Sequence, residues 1–276
     1  MSLSFVRKLE RASKHIEDLC VIQESWLGTG AYTLASQRNA ETGRVVVRAK
    51  IKSLPPPVFS LALGDAVHAL RTALDHLALE LAVANHRPQA VPPDAERASE
   101  FPIFATYVGN DPGSEVFHRV RKKTGKPAPG SGLHKLQGIH PDAIKAIEGI
   151  QPYHRGPTYS EDPLWLIHEL DRIDKHRRLS LTACAMGGVG INPDQSGTAY
   201  LGQVSFEKMG HSGPVEDGTP VAVFTASPDS HFQLDFSREI ALAEPTLPHN
   251  VFAVQALTQL RDYVRDRVIP LLKPFL

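Results

Sequence analysis

Cysteine is nearly absent from this 276-residue chain, which has only Cys20 and Cys184. Two isolated thiols form no spaced framework, so a cysteine-rich zinc module is excluded and a reducing compartment is favoured, while one disulfide between them stays open. Net charge is absent as well, with 30 Lys and Arg against 30 Asp and Glu. No global field therefore draws the chain to nucleic acid or to an anionic membrane, and a polyanion would need a local basic patch. No stretch reaches the roughly 18 uninterrupted apolar residues of a membrane helix. The opening MSLSFVRKLERASKHIEDL lacks a continuous apolar core and a small-residue cleavage site, so it does not read as a secretory signal. The expectation is a soluble, cytoplasmic protein with no membrane partner. The commoner catalytic signatures are missing too. There is no GxSxG elbow, P-loop or HExxH, and GGVGIN (187–192) leads into more strand instead of the helix of a dinucleotide fingerprint. No repeat recurs at a solenoid period.

What the chain does have is 42% hydrophobic residues, enough for a sizeable core. Phe5, Leu9, Ala12, Ile16, Leu19 and Ile22 recur at helical steps, which predicts a first amphipathic helix from Phe5 to Trp26. Alternation in AYTLASQRNAETGRVVVRAKIKSL around Asn39–Gly43 predicts a β-hairpin, and PPP at 55–57 ends it and starts a long helix to about Asn85. Residues 86–100 read as an exposed connection, FPIF as a short buried extended segment, and SEVFHRVRKKTGKPAPGSG as a short basic helix breaking into a loop. HPDAIKAIEGIQPY predicts another short helix. DPLWLIHELDRIDKHRR predicts a further one, with Asp162 as N-cap, Pro163 at the first helical position and basic residues at its C-terminal end. Period-two patterns then run through TAYLGQVSFEKM, TPVAVFTAS and HFQLDFSREIAL before a closing amphipathic helix from Phe252 to about Leu272. The expectation is a single α+β domain over 1–276, a bundle of long amphipathic helices packed with an antiparallel β-sheet. Its helical part covers about 1–178 with an inserted hairpin at 31–53, its β-rich part about 179–243 and its closing helix about 250–273.

One stretch resists a purely structural account. GDAVHALRTALDHLALELA (64–82) places Leu63, Val67, Leu70, Leu74, Leu77 and Leu81 in one stripe at ~100° per residue. Leu79 points nearly opposite, so the far side is expected to be covered too. Yet His68, Arg71 and Asp75 share a flank of the same helix, and His76 follows. Buried polar groups must find partners or cost about 1–3 kcal/mol each. The later helix repeats the device: Leu166, Leu170 and Ile173 form its stripe, while His168, Asp171 and Lys175 share a flank. If the two flanks meet, these six residues make one buried ion-pair network that fixes helix register without catalysis.

The spacing Arg71-x4-His76 also resembles the Arg-x4-His signature of HEPN-domain proteins, a helical superfamily containing many metal-independent endoribonucleases of toxin, antitoxin and antiviral systems. Thr72 stands where the family arginine is often followed by Asn. The wider pattern LRTALDHLALEL, FPIF, IQPY and PLWLIHELDRIDKHRRL resembles a widespread group of uncharacterised bacterial proteins. The HEPN resemblance implies an endoribonuclease of a bacterial stress or defence system that needs no metal or other cofactor. It implies that Arg71 holds the scissile phosphate and His76 acts as general acid or base, in keeping with what attack by a 2′-hydroxyl requires. His68, Asp75, His168, Asp171, Lys175 and His176 would support them. Arg119, Arg121, Lys122, Lys123, Arg177 and Arg178 would track an RNA backbone, or else form an ordinary solvated surface.

Five residues apart on a helix, Arg71 and His76 lie ~140° apart and do not share a face. HEPN proteins commonly meet this by dimerising, so a homodimer is expected here; alternatively His76 pairs with His176, beside Glu169. A third reading is a metal site from His68, Asp75, His168 and Asp171 on two facing helices. Arg71 and Lys175 would then add unwelcome positive charge. An enzyme needs Arg71 and His76 in an open cleft, whereas a structural network buries them with their polar groups satisfied.

Overall fold

A computed structural model describes residues 3–192, 203–211, 215–227, 230, 233–247 and 251–276, with the side chains of 183–192 and 233–237 outside the description. The Cys184 side chain and the expected strand residues 198–202 and 231–232 therefore lie outside the described residues.

The chain opens with α1 (Ser4–Gly28), then β1 (Tyr32–Arg38), β2 (Arg44–Ile51) and the long α2 (Pro57–His86). Next come α3 (Pro93–Ala98), the two-residue strands β3 (Tyr107–Val108) and β4 (Asp111–Pro112), and the short helices α4 (Gly113–His118), α5 (Gly132–Lys135) and α6 (Pro141–Gly149). A 3-10 segment (Pro152–Glu161) leads into α7 (Pro163–His176). The strands β5 (Leu181–Asn192), β6 (Val204–Met209), β7 (Pro220–Ala226), β8 (Gln233–Leu242) and β9 (Val251–Phe252) follow. α8 (Ala253–Tyr263) continues through a π-helical turn (Val264–Val268) into α9 (Ile269–Leu272). The architecture is α+β.

The chain forms two compact units. One comprises 1–17, 61–178 and 255–276, and the other 18–60 and 179–254. In the second, all strand pairing is antiparallel, in a four-stranded sheet of order β1-β2-β7-β6 and a three-stranded sheet of order β5-β8-β9. The hairpin is not an insertion confined to the helical part, because β2 pairs with β7. The reason is visible in its alternation: Val45, Val47 and Ala49 are buried on one face, and a lone hairpin is too small to cover such a face. The turn is set locally, with Asn39 Oδ1 accepting from the backbone N–H groups of Glu41 and Thr42 and Gly43 at φ +67°.

In the helical unit, Leu63, Val67, Leu70, Leu74, Leu77 and Leu81 of α2 are all essentially buried, as their stripe predicts, and Leu79 is half-buried on the far side. Truncating any of these leucines to alanine costs about 2–5 kcal/mol. α7 starts as its sequence dictates: Asp162 caps it by accepting from Leu164 N–H at 2.9 Å, and Pro163 holds the first position. Two expectations change. The connection 86–100 contains the short α3, and the basic helix is only the six residues of α4, so Arg119–Lys123 lie beyond it in a tight turn. No helix among the described residues is long and apolar enough to cross a membrane.

Candidate functional site

The residues Phe101–Phe104 explain why α2 carries charge in its interior. They are buried, yet belong to no helix or sheet. A buried backbone without a strand partner needs other hydrogen bonds, and side chains supply them at both ends. Asp75 Oδ1 accepts from Phe101 N–H at 3.0 Å, and Arg71 Nη2 donates to the Phe101 carbonyl at 2.8 Å. One helical turn of α2 thus satisfies both backbone groups of one residue. At the other end Gln151, 1% exposed, accepts from Phe104 N–H at 3.0 Å and donates to the Pro102 carbonyl at 2.8 Å. The Phe104 carbonyl accepts from Tyr153 N–H.

The clasp extends through Glu100. Arg71 Nη2 also lies 2.9 Å from Asp75 Oδ1 and 2.8 Å from Glu100 Oε1, and Glu100 Oε1 accepts from Lys135 Nζ at 2.9 Å. Arg71 is 4% exposed. Burial pushes the Asp75 carboxyl above its ordinary pKa, against the pull of Arg71 and the Phe101 N–H. Glu100 is only half-buried; that partial burial works to raise its pKa, but its hydrogen bond to Lys135, with the charges of Lys135 and Arg71, holds it below the usual range. Half-buried His168 shares this electrostatic environment. Burial, then the positive charges of Arg71 and Lys135, lower its pKa to about 4, so it is neutral at pH 7.

The α2 and α7 flanks do meet, but they divide into two groups. His68 Nδ1 lies 3.2 Å from Asp171 Oδ1, and Asp171 Oδ2 pairs with Lys175 at 2.6 Å. Asp171 is buried while His68 and Lys175 are largely exposed. One turn earlier on α2, a Cβ on Gly64 would collide with the Asp174 carboxylate, so the two elements approach closely there. Burial and the charges of Asp171 and Asp65 raise the Asp174 pKa. Gly64 against Asp174, His68 against Asp171 and Arg71 in the field of His168 set α2 and α7 antiparallel. Among the described residues no ion pair joins this group to the Arg71 group.

The remaining sequence-derived residues separate. His76 is half-buried and its Nδ1 is buried without a hydrogen-bond partner. His176 is exposed, and Glu169 pairs with Arg172 at 2.7 Å instead of joining a His76–His176 pair. Arg119 pairs with Asp111 at 2.6 Å; Arg121, Lys122, Lys123, Arg177 and Arg178 are exposed. Asp75 and His168 belong with Arg71 while His68 and Asp171 sit apart, so the four residues of the metal reading do not converge. No three His, Cys, Asp or Glu side chains among the described residues form a metal's ligand set. Sequence reasoning missed Glu100, Lys135 and Gln151. The signal was the buried FPIF itself, whose backbone required partners.

Comparison with protein-family models, with curated proteins and with solved structures finds no match. The likeness to HEPN proteins therefore rests on the Arg71-x4-His76 spacing alone.

Proposed function

We propose that this protein acts by binding and not by catalysis, and that the Arg71, Asp75, Glu100 and Lys135 cluster serves the fold. The observation that carries this reading is the saturation of Arg71 Nη2 by two carboxylates and the Phe101 carbonyl at 2.8–2.9 Å, in a side chain 5% exposed. To offer Nη2 to a phosphate, Arg71 would have to abandon both carboxylates; these are partly exposed, so the cost falls below the about 3–5 kcal/mol of a fully buried pair. The scarcity of cysteine supports a cytoplasmic setting. Incubating the purified protein with single-stranded RNA tests the reading, which expects intact RNA and an Arg71→Ala variant that is destabilised. Cleavage that disappears in Arg71→Ala while the fold persists overturns it.

The endoribonuclease reading retains one observation in its favour. Arg71 Nη1 and His76 Nδ1 are both buried with no partner, a cost without structural return. In that reading RNA is the substrate, Arg71 holds its phosphate, and a homodimer brings in His76 of a second copy as general acid or base. The same cleavage assay separates the two readings.

A further inference from the structure

On the helical unit, the turn after α4 and the helices α3 and α5 enclose a cleft of about 450 Å³, a volume in the range of small-molecule sites. Its polar walls are Asp94 and Arg97 of α3, Arg121 and Lys126 of the turn, and His134 and Gln137 at α5. Four of these six bear or can bear positive charge, in a chain whose net charge is zero.

The turn breaks a local rule. Val120 pairs with Pro127, Arg121 N–H donates to the Lys126 carbonyl at 2.8 Å, and Ala128 N–H donates to the Arg119 carbonyl at 2.9 Å. Arg121 and Lys126 are thus directly opposed on antiparallel backbone, which puts both side chains on one face. Like charges so placed repel each other, and neither side chain has a hydrogen-bond or ion-pair partner among the described residues. An anion seated between them removes the repulsion and gains two charge-assisted hydrogen bonds. The lining residues at α5 and α3 also carry polar contacts of their own. The Gln137 amide nitrogen lies 2.6 Å from His134 Nδ1, which occupies that ring nitrogen and leaves Nε2 as the one for a ligand. Arg97 is held by Asp94 at 2.6 Å, an internal carboxylate that an incoming anion would displace. The cleft also borders the clasp: in α5, His134 lines the cleft while its neighbour Lys135 binds Glu100.

We infer that this cleft binds a phosphate group, gripped by Arg121 and Lys126 together with His134, which lines the same cleft. The inference extends the binding reading by naming the ligand's chemistry. The phosphate can come from a phosphorylated small molecule or from a nucleic-acid backbone; Lys122 and Lys123, exposed in the same turn between Arg121 and Lys126, would add contacts to a backbone that continues past the cleft.

Calorimetric titration with uridine 5′-monophosphate, with inorganic phosphate and with a short RNA lacking terminal phosphates tests the inference and separates the sources. At least one probe is expected to bind, with Arg121→Ala and Lys126→Ala each weakening it roughly tenfold or more and Asp94→Asn strengthening it. Binding of the monophosphate that is indifferent to Lys122→Ala marks a small-molecule site; RNA binding that Lys122→Ala weakens marks a backbone site. No binding by any probe, or binding that Arg121→Ala and Lys126→Ala leave unchanged, overturns the inference. RNA that is bound but not cut leaves both readings standing. RNA that is cut refutes the non-catalytic reading without touching the cleft, and RNA neither bound nor cut refutes only the cleft when the other probes also fail.

Discussion

Acidification from pH 8 to pH 5 should weaken the fold through His168. Its ordinary pKa is 6.5, and burial with the charges of Arg71 and Lys135 brings it to about 4 in the folded chain, against the opposing pull of Glu100 and Glu169. A folded pKa below the unfolded one means that the unfolded chain binds the extra proton first. Stability is therefore lost as pH falls through 6.5 towards 4. Integrated from pH 8 to pH 5, this one group contributes about 2 kcal/mol. Glu100 acts in the same direction, but its depressed pKa matters only below the ordinary 4.5, and Asp75, whose pKa is raised, acts with the opposite sign. The chain has 13 histidines, so the informative quantity is the difference between wild type and His168→Gln. Urea unfolding at both pH values should show the wild type losing about 2 kcal/mol more than the variant. Equal losses, or a His168 imidazole titrating near 6.5 in the folded protein, would refute the placement of His168 beside two cations.

Three further outcomes follow from named contacts. Gln151→Leu should destabilise by about 2–4 kcal/mol in chemical denaturation, because the Phe104 N–H and the Pro102 carbonyl lose their partner inside the core. Asp162→Ala removes the cap of α7 and the partner of Arg155 at 2.7 Å; a loss of about 1–2 kcal/mol is expected from thermal melts, and a neutral result would show the cap to be dispensable. Arg71→Met should cost about 3 kcal/mol, since it strands Asp75 and the Phe101 carbonyl, and a variant as stable as wild type would remove the structural role assigned to Arg71.

Much of this was legible in the sequence. Apolar periodicity placed α1, α2 and the closing helix, and Asp162 with Pro163 marked the start of α7, because caps and stripes are set by residues close in the chain. The partnership of β2 with β7 was not legible, since it depends on which buried face finds another far along the sequence. The same limit applied to the site. The spacing of His68, Arg71 and Asp75 showed one charged flank, and the pairing of His68 with Asp171 joins it to α7 as expected. What Arg71 binds was hidden because Glu100 and Lys135 come from a connection and a four-residue helix, where no periodicity gives side-chain direction. The antiparallel run of α2 and α7 then carried Arg71 towards His168 and away from Asp171, dividing one imagined network in two.

The central claim is that the charged pair on α2 exists to complete the backbone hydrogen bonds of Phe101. Amide hydrogen exchange at Phe101 addresses it most directly, because Asp75 Oδ1 is the acceptor of that N–H. The account predicts a protected amide in the wild type and exchange roughly tenfold or more faster in Asp75→Ala, with the amides of α6 unchanged. A Phe101 amide that exchanges freely in the wild type, or is equally protected in Asp75→Ala, would contradict it.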